Sequence, residues 1–390
     1  MRIALVLYGD LDFISGGFLY DRMVVEHLRR RGEEVEIISL PWPSYPRGLL
    51  DNLSPVLRRR LGRIRADLIL QDELAHPSLF WLNRSLKVRG GPPVVAMVHH
   101  LRSSEARPAW QNRMYRMVER RYLDSVDAFI VNSRTTRKTV AELVGTGKPQ
   151  VLAYPGANRF RLSLTRKDLA ARALKPGPLR VLFLGNIIPR KGLPTLLAAL
   201  ALLPREAWRL TVAGSLEVDH AYARQVRSQV AAAGLEDQVK FTGTLSSVNL
   251  AARLAESHVL AVPSSYEGFG IVYLEGMAFG LPALATTAGG AGEIITHGRD
   301  GFLVAPGDAG ALAGHLKMLR EDRDRLLAMS LAAQDRFRAH PTWEDTGMTV
   351  HRLLQSLVRG IPEPDKPQSA ASPQQKSQGC LLTSQNGPSL

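Results

Sequence analysis

Two glutamates eight residues apart, Glu267 and Glu275, bracket the part of this 390-residue chain whose residue types best suit a charged sugar derivative. Between them stand Gly268, Phe269, Gly270 and Ile271, directly after the apolar run HVLAVP (258–263) and the turn SSYE. The glycines let backbone approach a ligand closely. A helix opening near Gly270 would present unpaired N–H groups, which suit a phosphate. Glu275, one to two turns inside that helix, is placed to accept both hydroxyls of a ribose. Glu267, ahead of the helix, lies beyond the phosphate and can reach a sugar. One short segment could hold three parts of a sugar nucleotide. The plain alternative is a turn glutamate followed by a helix-face glutamate.

Other residues of chemical interest also follow apolar runs. Lys191, preceded by Arg190, stands just ahead of the helical stretch 192–203, so its ammonium and the helix N-terminus could act together on a diphosphate. A solvated Arg-Lys pair is the alternative there. Gly289, Gly290 and Glu293 form a strand-end turn after PALAT (282–286). Gly16 and Gly17 occupy the loop after the first apolar run, with a helix beginning near Phe18; the spacing is not G-x-G-x-x-G and so is no dinucleotide fingerprint. His99 and His100 end the run VVAMVH (94–99) and its continuation. Asp10-Leu11-Asp12 spells a D-x-D that could hold a divalent cation through oxygen. It follows the first strand of a chain in which Lys191 and helix termini already supply positive charge, so no metal site is expected, and no His or Cys cluster has zinc spacing.

Taken in order, GNIIPRKG (185–192), VAGS (212–215), FTG (241–243), the E-x7-E pair Glu267 and Glu275, TTAGGAGEII (286–295) and GRDGFLVAPGD (298–308) resemble the family 4 glycosyltransferases, which are retaining and of the GT-B fold. The similarity is strongest from about 180 to 310 and continues in the first half as VNSRTTRKTV and YPGAN. The resemblance implies an α/β chain of two Rossmann-like, doubly wound parallel-sheet domains facing an interdomain cleft. It implies transfer of a hexose-type sugar from a UDP-, GDP- or ADP-sugar to a hydroxyl acceptor, with retention and without metal or other cofactor. Glu267, His99 and Lys191 take the catalytic roles, His99 beside the reacting centre. Donor binding is implied for Gly16, Gly17, Asn186, Arg190, Lys191, Gly268, Phe269, Gly270, Ile271, Glu275, Gly289, Gly290 and Glu293. This sequence departs from the family in two places. Asn186 follows Gly185 where a basic residue is common, which makes Arg190 the substitute cation, and His100 stands where Asp is frequent. A sugar phosphorylase, a sugar-nucleotide epimerase or a noncatalytic GT-B binding protein would share the outline.

The elements that must carry these residues are legible as period. IALVLY (3–8), VEIISL (35–40), DLILQ (67–71), VVAMVH, AFIVNS (128–133) and VLAYP (151–155) alternate with amphipathic stretches in the first half; RVLFLG (180–185), LTVAG (210–214), VKFTG (239–243), HVLAVP and PALAT repeat the scheme in the second, with helices over 192–203, 219–233 and 270–279. Continuous Val/Ile/Leu runs between helices indicate parallel strands buried on both faces. In such sheets ligands bind beyond the carboxyl ends of the strands. The Pro/Gly-rich LKPGPLR (174–180) reads as a hinge. The expected division is a first domain over 1–175, a donor-binding domain over 176–345, a helix over 346–360 returning to the first domain, and a disordered tail over 361–390 rich in Pro, Ser and Gln.

Composition sets the outer limits. A chain of 390 residues exceeds one core, and 45% hydrophobic with 22% charged residues excludes a mainly disordered, collagenous or coiled-coil protein. One cysteine, Cys380, excludes an intrachain disulfide and fits a reducing compartment. No apolar run reaches the roughly 18 residues of a membrane span, and MRIALVLYGDLDF lacks the pattern of a signal peptide, so a cytoplasmic location is expected. Residues 1–175 hold 30 Lys+Arg against 17 Asp+Glu, whereas 176–390 hold 20 against 19. The excess of positive charge therefore belongs to the first domain, where VLRRRLGRIR (56–65) and RPAWQNRMYRMVERRY (107–122) mix Arg with apolar residues at helical spacings. Such helices suit an anionic membrane surface, and with it a lipid-linked acceptor at the inner face of the plasma membrane. Solvated arginines over core-facing apolar residues are the alternative. No nucleic-acid-binding motif is visible, so nucleic acid is not an expected partner.

Overall fold

The computed structural model describes residues 1–160 and 164–360. The expected tail, 361–390, lies outside the described residues, as does Cys380. The apolar runs form two six-stranded parallel sheets. The first contains β1 (Arg2–Tyr8), β2 (Glu34–Leu40), β3 (Leu68–Asp72), β4 (Val94–Val98), β5 (Ala128–Val131) and β6 (Gln150–Leu152), in the order β2-β1-β3-β4-β5-β6. The second contains β7 (Leu179–Leu184), β8 (Trp208–Ala213), β9 (Val239–Gly243), β10 (Val259–Ala261), β11 (Ala283–Thr286) and β12 (Gly301–Val304), in the order β12-β11-β10-β7-β8-β9.

Burial on both faces explains the unbroken runs. Along β1, Ile3, Leu5 and Leu7 pack into one core with Phe18, Val24 and Leu28, while Ala4, Val6 and Tyr8 enter a second core with Leu79, Val118 and Leu123. Each such Leu or Val contributes about 1.5–3 kcal/mol on burial. Edge strand β2 buries only Ile38 and Leu40 fully and keeps Glu34 and Glu36 exposed, which blunts the edge against pairing with another chain.

In each sheet the strand order reverses beside the first strand in sequence: between β1 and β3 in one lobe, and between β7 and β10 in the other. A crevice opens beyond the carboxyl ends at such a point. The residues singled out from sequence lie there: Gly16 and Gly17 after β1, His99 after β4, Asn186 and Lys191 after β7, and Glu267 after β10.

Two boundaries differ from expectation. The chain crosses between lobes near 153–157 rather than at 174–180: Ala153 belongs to the first core, and Ala157 and Phe160 to the second. The helix Arg166–Leu174 already packs in the second lobe, with Arg172 donating to Ala255 O (3.2 Å) and Gly280 O (2.9 Å). Residues 174–180 merely join that helix to β7, and Pro and Gly punctuate such a loop as readily as a linker. The return crossing runs alongside the first, with Ala157 N donating to Pro341 O (3.0 Å) and Trp343 N to Asn158 Oδ1 (2.8 Å). The final helix, Trp343–Arg359, starts three residues before the expected 346 because Thr342 and Asp345 form a capping box. It buries Trp343, Val350, Leu353 and Leu354 against the first lobe. Among the described residues no helix is long and apolar enough to cross a membrane.

Candidate active site

A cleft of about 450 Å³ separates the facing sheet ends, lined from the first lobe by Gly16, Gly17, Glu73, His99 and His100, and from the second by Asn186, Arg190, Lys191, Glu267–Ile271 and Glu275. Glu267 is its electrostatic centre. Its Oε1 accepts from Lys191 Nζ (2.5 Å) and Ser264 Oγ (2.7 Å), and Arg190 Nη1 lies 3.5 Å from Oε2. Burial pushes the Glu267 carboxyl up, but the charges of Lys191 and Arg190 and the two hydrogen bonds outweigh it and hold the group at about 2. Burial draws Lys191 below its usual range, with Glu267 opposing the shift. Arg190 is thus beside Lys191, and its Nη1 also donates to Tyr266 O (2.8 Å). Asn186 donates from Nδ2 to Ile14 O (3.2 Å), tying the second lobe to the glycine loop of the first.

Close backbone packing holds the Glu267 turn in place. A Cβ on Gly268 would overlap His99 O and lie 2.9 Å from His100 Cβ, so the turn rests on the first lobe with no room for a side chain. Beneath it, Gly290 N donates to Glu267 O (2.8 Å), and a Cβ on Gly289 would overlap the same carbonyl. Gly289 also adopts φ 87°, which favours glycine. Gly289 and Gly290 therefore support the turn from behind and do not line the cleft. Phe269 lines the cleft and also braces the turn: its ring packs against Tyr154 (5.5 Å between centroids) and His340 (5.8 Å).

Gly270 (φ 101°) opens the helix Ile271–Ala278, whose first turn faces the cleft at Ile271. Glu275, inside that helix, accepts from Arg159 Nη1 (2.5 Å); burial raises its carboxyl and Arg159 opposes the shift. Arg159 was not singled out from the sequence, although it directly follows YPGAN. Neither were Thr244–Ser247 after β9, which with Gly214 and Ser215 also line the cleft.

On the opposite wall, His99 is buried; its Nε2 lies 2.9 Å from Asp21 Oδ1, and its backbone N donates to Glu73 Oε2 (2.8 Å). His100 pairs with Glu105 Oε1 (3.0 Å). Asp10 and Asp12 form a local turn, Asp12 N donating to Asp10 Oδ1 (3.0 Å).

Glu293 departs from its expected donor contact. Its carboxylate reaches across to the first lobe and accepts from Arg134 N, Thr135 N and Thr135 Oγ1 (each 2.8 Å) and from Tyr154 Oη (2.9 Å). A glutamate near a glycine turn can cap a helix of the facing lobe as well as meet a ligand, and spacing within one lobe does not distinguish them. A helix cap is worth about 1 kcal/mol. Glu293→Ala is expected to raise the donor KM several-fold, lower kcat less, and enlarge the radius of gyration in solution scattering. Unchanged KM and scattering would show that this clasp does not hold the lobes together.

"Glycosyltransferase Family 4" matches residues 20–159, and "Glycosyl transferases group 1" matches residues 165–336. The chain belongs to the family 4 glycosyltransferases. The two matched segments meet where the chain crosses between lobes. A GDP-mannose-dependent alpha-(1-6)-phosphatidylinositol monomannoside mannosyltransferase of Mycobacterium tuberculosis is 31% identical over 260 residues, 63% of this chain and 65% of that protein. A D-inositol 3-phosphate glycosyltransferase of Pseudarthrobacter chlorophenolicus is 30% identical over 258 residues, 63% of this chain and 61% of that protein. The alignments thus span somewhat less than two thirds of these relatives. Sucrose-phosphate synthase of Thermosynechococcus elongatus superposes with a TM-score of 0.79 at 24% identity, covering 92% of this chain and 99% of that one. The fold is GT-B.

Proposed function

We propose that this family 4 member transfers a hexose-type sugar from a nucleoside diphosphate to a hydroxyl acceptor, with retention and without metal. The observation that carries this reading is the meeting of Lys191, Arg190 and Glu267 ahead of the helix Ile271–Ala278, with His99 on the facing wall of the same cleft. A diphosphate at that helix start would meet amide N–H groups and two cations, while Glu275 lies where a ribose would sit. The mycobacterial relative is named for a GDP-sugar donor, which supports the same donor class here.

Breaking the anomeric C–O bond leaves its electron pair on the departing phosphate oxygen and oxocarbenium character on the sugar. Lys191, Arg190 and the first-turn amides would stabilise the departing charge, a contribution of about 2.7–4 kcal/mol per well-placed donor. The acceptor oxygen bonds to the anomeric carbon from the same face, and its proton passes to the departing phosphate oxygen. Glu267, held at about 2, is too weak a base to take that proton at neutral pH. Its carboxylate aligns Lys191 and holds sugar hydroxyls.

The first lobe supports a lipid-linked acceptor in glycolipid, polysaccharide or cell-envelope glycan synthesis. On the helix Ala109–Ser125, Val118, Tyr122 and Leu123 face the core, but Trp110 (64% exposed), Met114 (53%) and Met117 (52%) lie outward among Arg113, Arg116, Arg120 and Arg121. An apolar and basic outer face suits attachment to an anionic cytoplasmic leaflet, each basic residue adding about 1 kcal/mol. Co-sedimentation with anionic vesicles at low salt is expected, weakened in the double variant Trp110→Ala, Met114→Ala; no binding to such vesicles would refute the membrane contact. The transfer itself is tested by incubation with UDP-, GDP- and ADP-sugars. Acceptor-dependent release of nucleoside diphosphate is expected, whereas sugar phosphate or an epimerised donor would contradict it.

A further inference from the structure

Behind His99 lies a group of buried acids that the proposed chemistry leaves without a role. Asp21 and Asp72 are both fully buried, and their carboxylate oxygens and a ring nitrogen of His99 all lie within 4.8 Å of one another. Asp21 Oδ1 takes His99 Nε2, and Asp72 Oδ1 accepts from Leu74 N (2.9 Å). The second oxygens of both carboxylates, Asp21 Oδ2 and Asp72 Oδ2, have no hydrogen-bond partner. We infer that Asp21, backed by Asp72, is a positioning residue for transfer: it fixes the His99 ring with Nε2–H inward and leaves Nδ1–H as the donor available to the cleft. This rests on the glycosyl-transfer reading of the cleft.

Several contacts define the ring's setting. Asp21 stands one turn after Gly16 and Gly17 on the helix Gly16–Arg30, so the element that lines the cleft also carries the anchor. A Cβ on Gly17 would lie 3.2 Å from His99 Cδ2, so the helix start passes close to the ring with little room for a side chain. The Tyr20 ring meets it edge-on at 5.2 Å, itself tied by its hydroxyl to Ala153 O (2.9 Å). Glu73 holds the His99 backbone. Turning the ring would break the Asp21 bond inside a packed wall.

The charges agree with this geometry. A buried carboxylate beside another acid is driven toward its neutral form. Burial, then the charges of Asp21 and Glu73, push Asp72 well above the usual carboxylate range. Burial draws His99 down, but Asp21, by charge and hydrogen bond, and then Glu73 and Asp72 outweigh it and raise the ring to about 10. The groups facing His99 are Asp21 and Tyr20 from the helix, Asp72 at the end of β3 and Glu73 after it, neighbouring His100, and the Glu267–Gly268 turn of the second lobe, whose carboxylate is already paired with Lys191. At neutral pH the ring is an imidazolium with one donor free for an oxygen of the sugar or of the leaving phosphate. Asp21→Asn keeps the shape but removes the first of the charges that raise the ring, so burial is expected to draw His99 back toward its neutral form.

The test compares Asp21→Asn with His99→Gln in the full chain, reading acceptor-dependent transfer between about pH 5 and 9, where an ordinary histidine titrates. Wild type is expected to show no histidine-dependent limb in that window. Asp21→Asn is expected to lose about 10²-fold in kcat at neutral pH with donor KM little changed, to recover as the solution is acidified, and to keep its nucleoside diphosphate binding. Nitrogen-15 NMR of the wild type is expected to show both His99 nitrogens protonated at neutral pH, a reading independent of activity. Wild-type kcat and pH profile in Asp21→Asn, or a neutral His99, would overturn the inference. So would one equivalent of bound divalent metal that Asp21→Asn abolishes, because the same three residues would then be ligands. If His99→Gln is fully active, the reading of the cleft falls as well; if only His99→Gln is impaired, this inference alone falls.

Discussion

Glu267→Ala is expected to lower kcat/KM by about 10³-fold or more while both lobes stay folded. The carboxylate accepts from Lys191 and Ser264 and lies 3.5 Å from Arg190. On the proposed mechanism its loss removes the hold on the sugar, and it leaves two half-buried cations without their shared counter-charge. A buried ammonium without a partner tends to lose its proton, so Lys191 would surrender the charge that the proposed mechanism sets against the leaving diphosphate. Glu267→Gln separates shape from charge and should lose nearly as much. The same pair predicts a pH signature in stability. The folded-state value of about 2 lies below the ordinary 4.5, so the stabilisation is present above pH 4.5 and is lost as pH falls through 2. The ceiling is about 3 kcal/mol, part of which is offset by the lowered Lys191 value. Urea denaturation should therefore show a gap between wild type and Glu267→Gln that is steady above pH 4.5 and closes toward pH 2. A fully active Glu267→Ala enzyme would refute the assignment.

Gly268→Ala is expected to cost about 10²-fold in kcat/KM through one methyl group that touches no substrate. The added Cβ would overlap His99 O and crowd His100 Cβ at 2.9 Å, and both of those atoms belong to the other lobe. Each lobe can fold unchanged, so the clash is relieved by holding the lobes apart, which separates Lys191 and Glu267 from His99. Reacting groups displaced by about 1 Å commonly lose this much rate. Nucleoside diphosphate should still bind to the second lobe with near-normal affinity. Loss of binding together with transfer would show that the turn had collapsed instead, and wild-type transfer would show that the lobes need not meet here.

The sequence made the sheets legible because buried parallel strands leave continuous apolar runs, as in IALVLY and RVLFLG. Strand β12 was missed: Gly301–Val304 offers three apolar residues after a glycine, too few to separate from a turn. The crossing near 153–157 was missed because Pro and Gly at 174–180 give the stronger local signal, while domain membership depends on which core Ala157 and Phe160 enter. Within the cleft, Glu267, Glu275 and Lys191 were legible because they follow strands at a reversal of sheet order, where backbone and side chains must converge. Gly289 and Gly290 carry the same local signal yet serve packing, since facing the ligand or facing the turn depends on neighbours far along the chain. Glu293 shows the same limit between lobes, its partners being Arg134, Thr135 and Tyr154. Asp21 and Arg159 escaped notice for the converse reason: one is a helix residue like many others and one follows a loop, and only the fold brings them to His99 and Glu275.

A crystal structure of the chain soaked with UDP, GDP and ADP in turn tests the central claim most directly. At least one nucleoside diphosphate is expected in the inter-lobe cleft, with its distal phosphate within hydrogen-bonding reach of Lys191 Nζ and the first-turn amides of Ile271–Ala278, and with its ribose at Glu275. A nucleotide bound elsewhere, or a cleft that none of the three enters at millimolar concentration, would contradict the account.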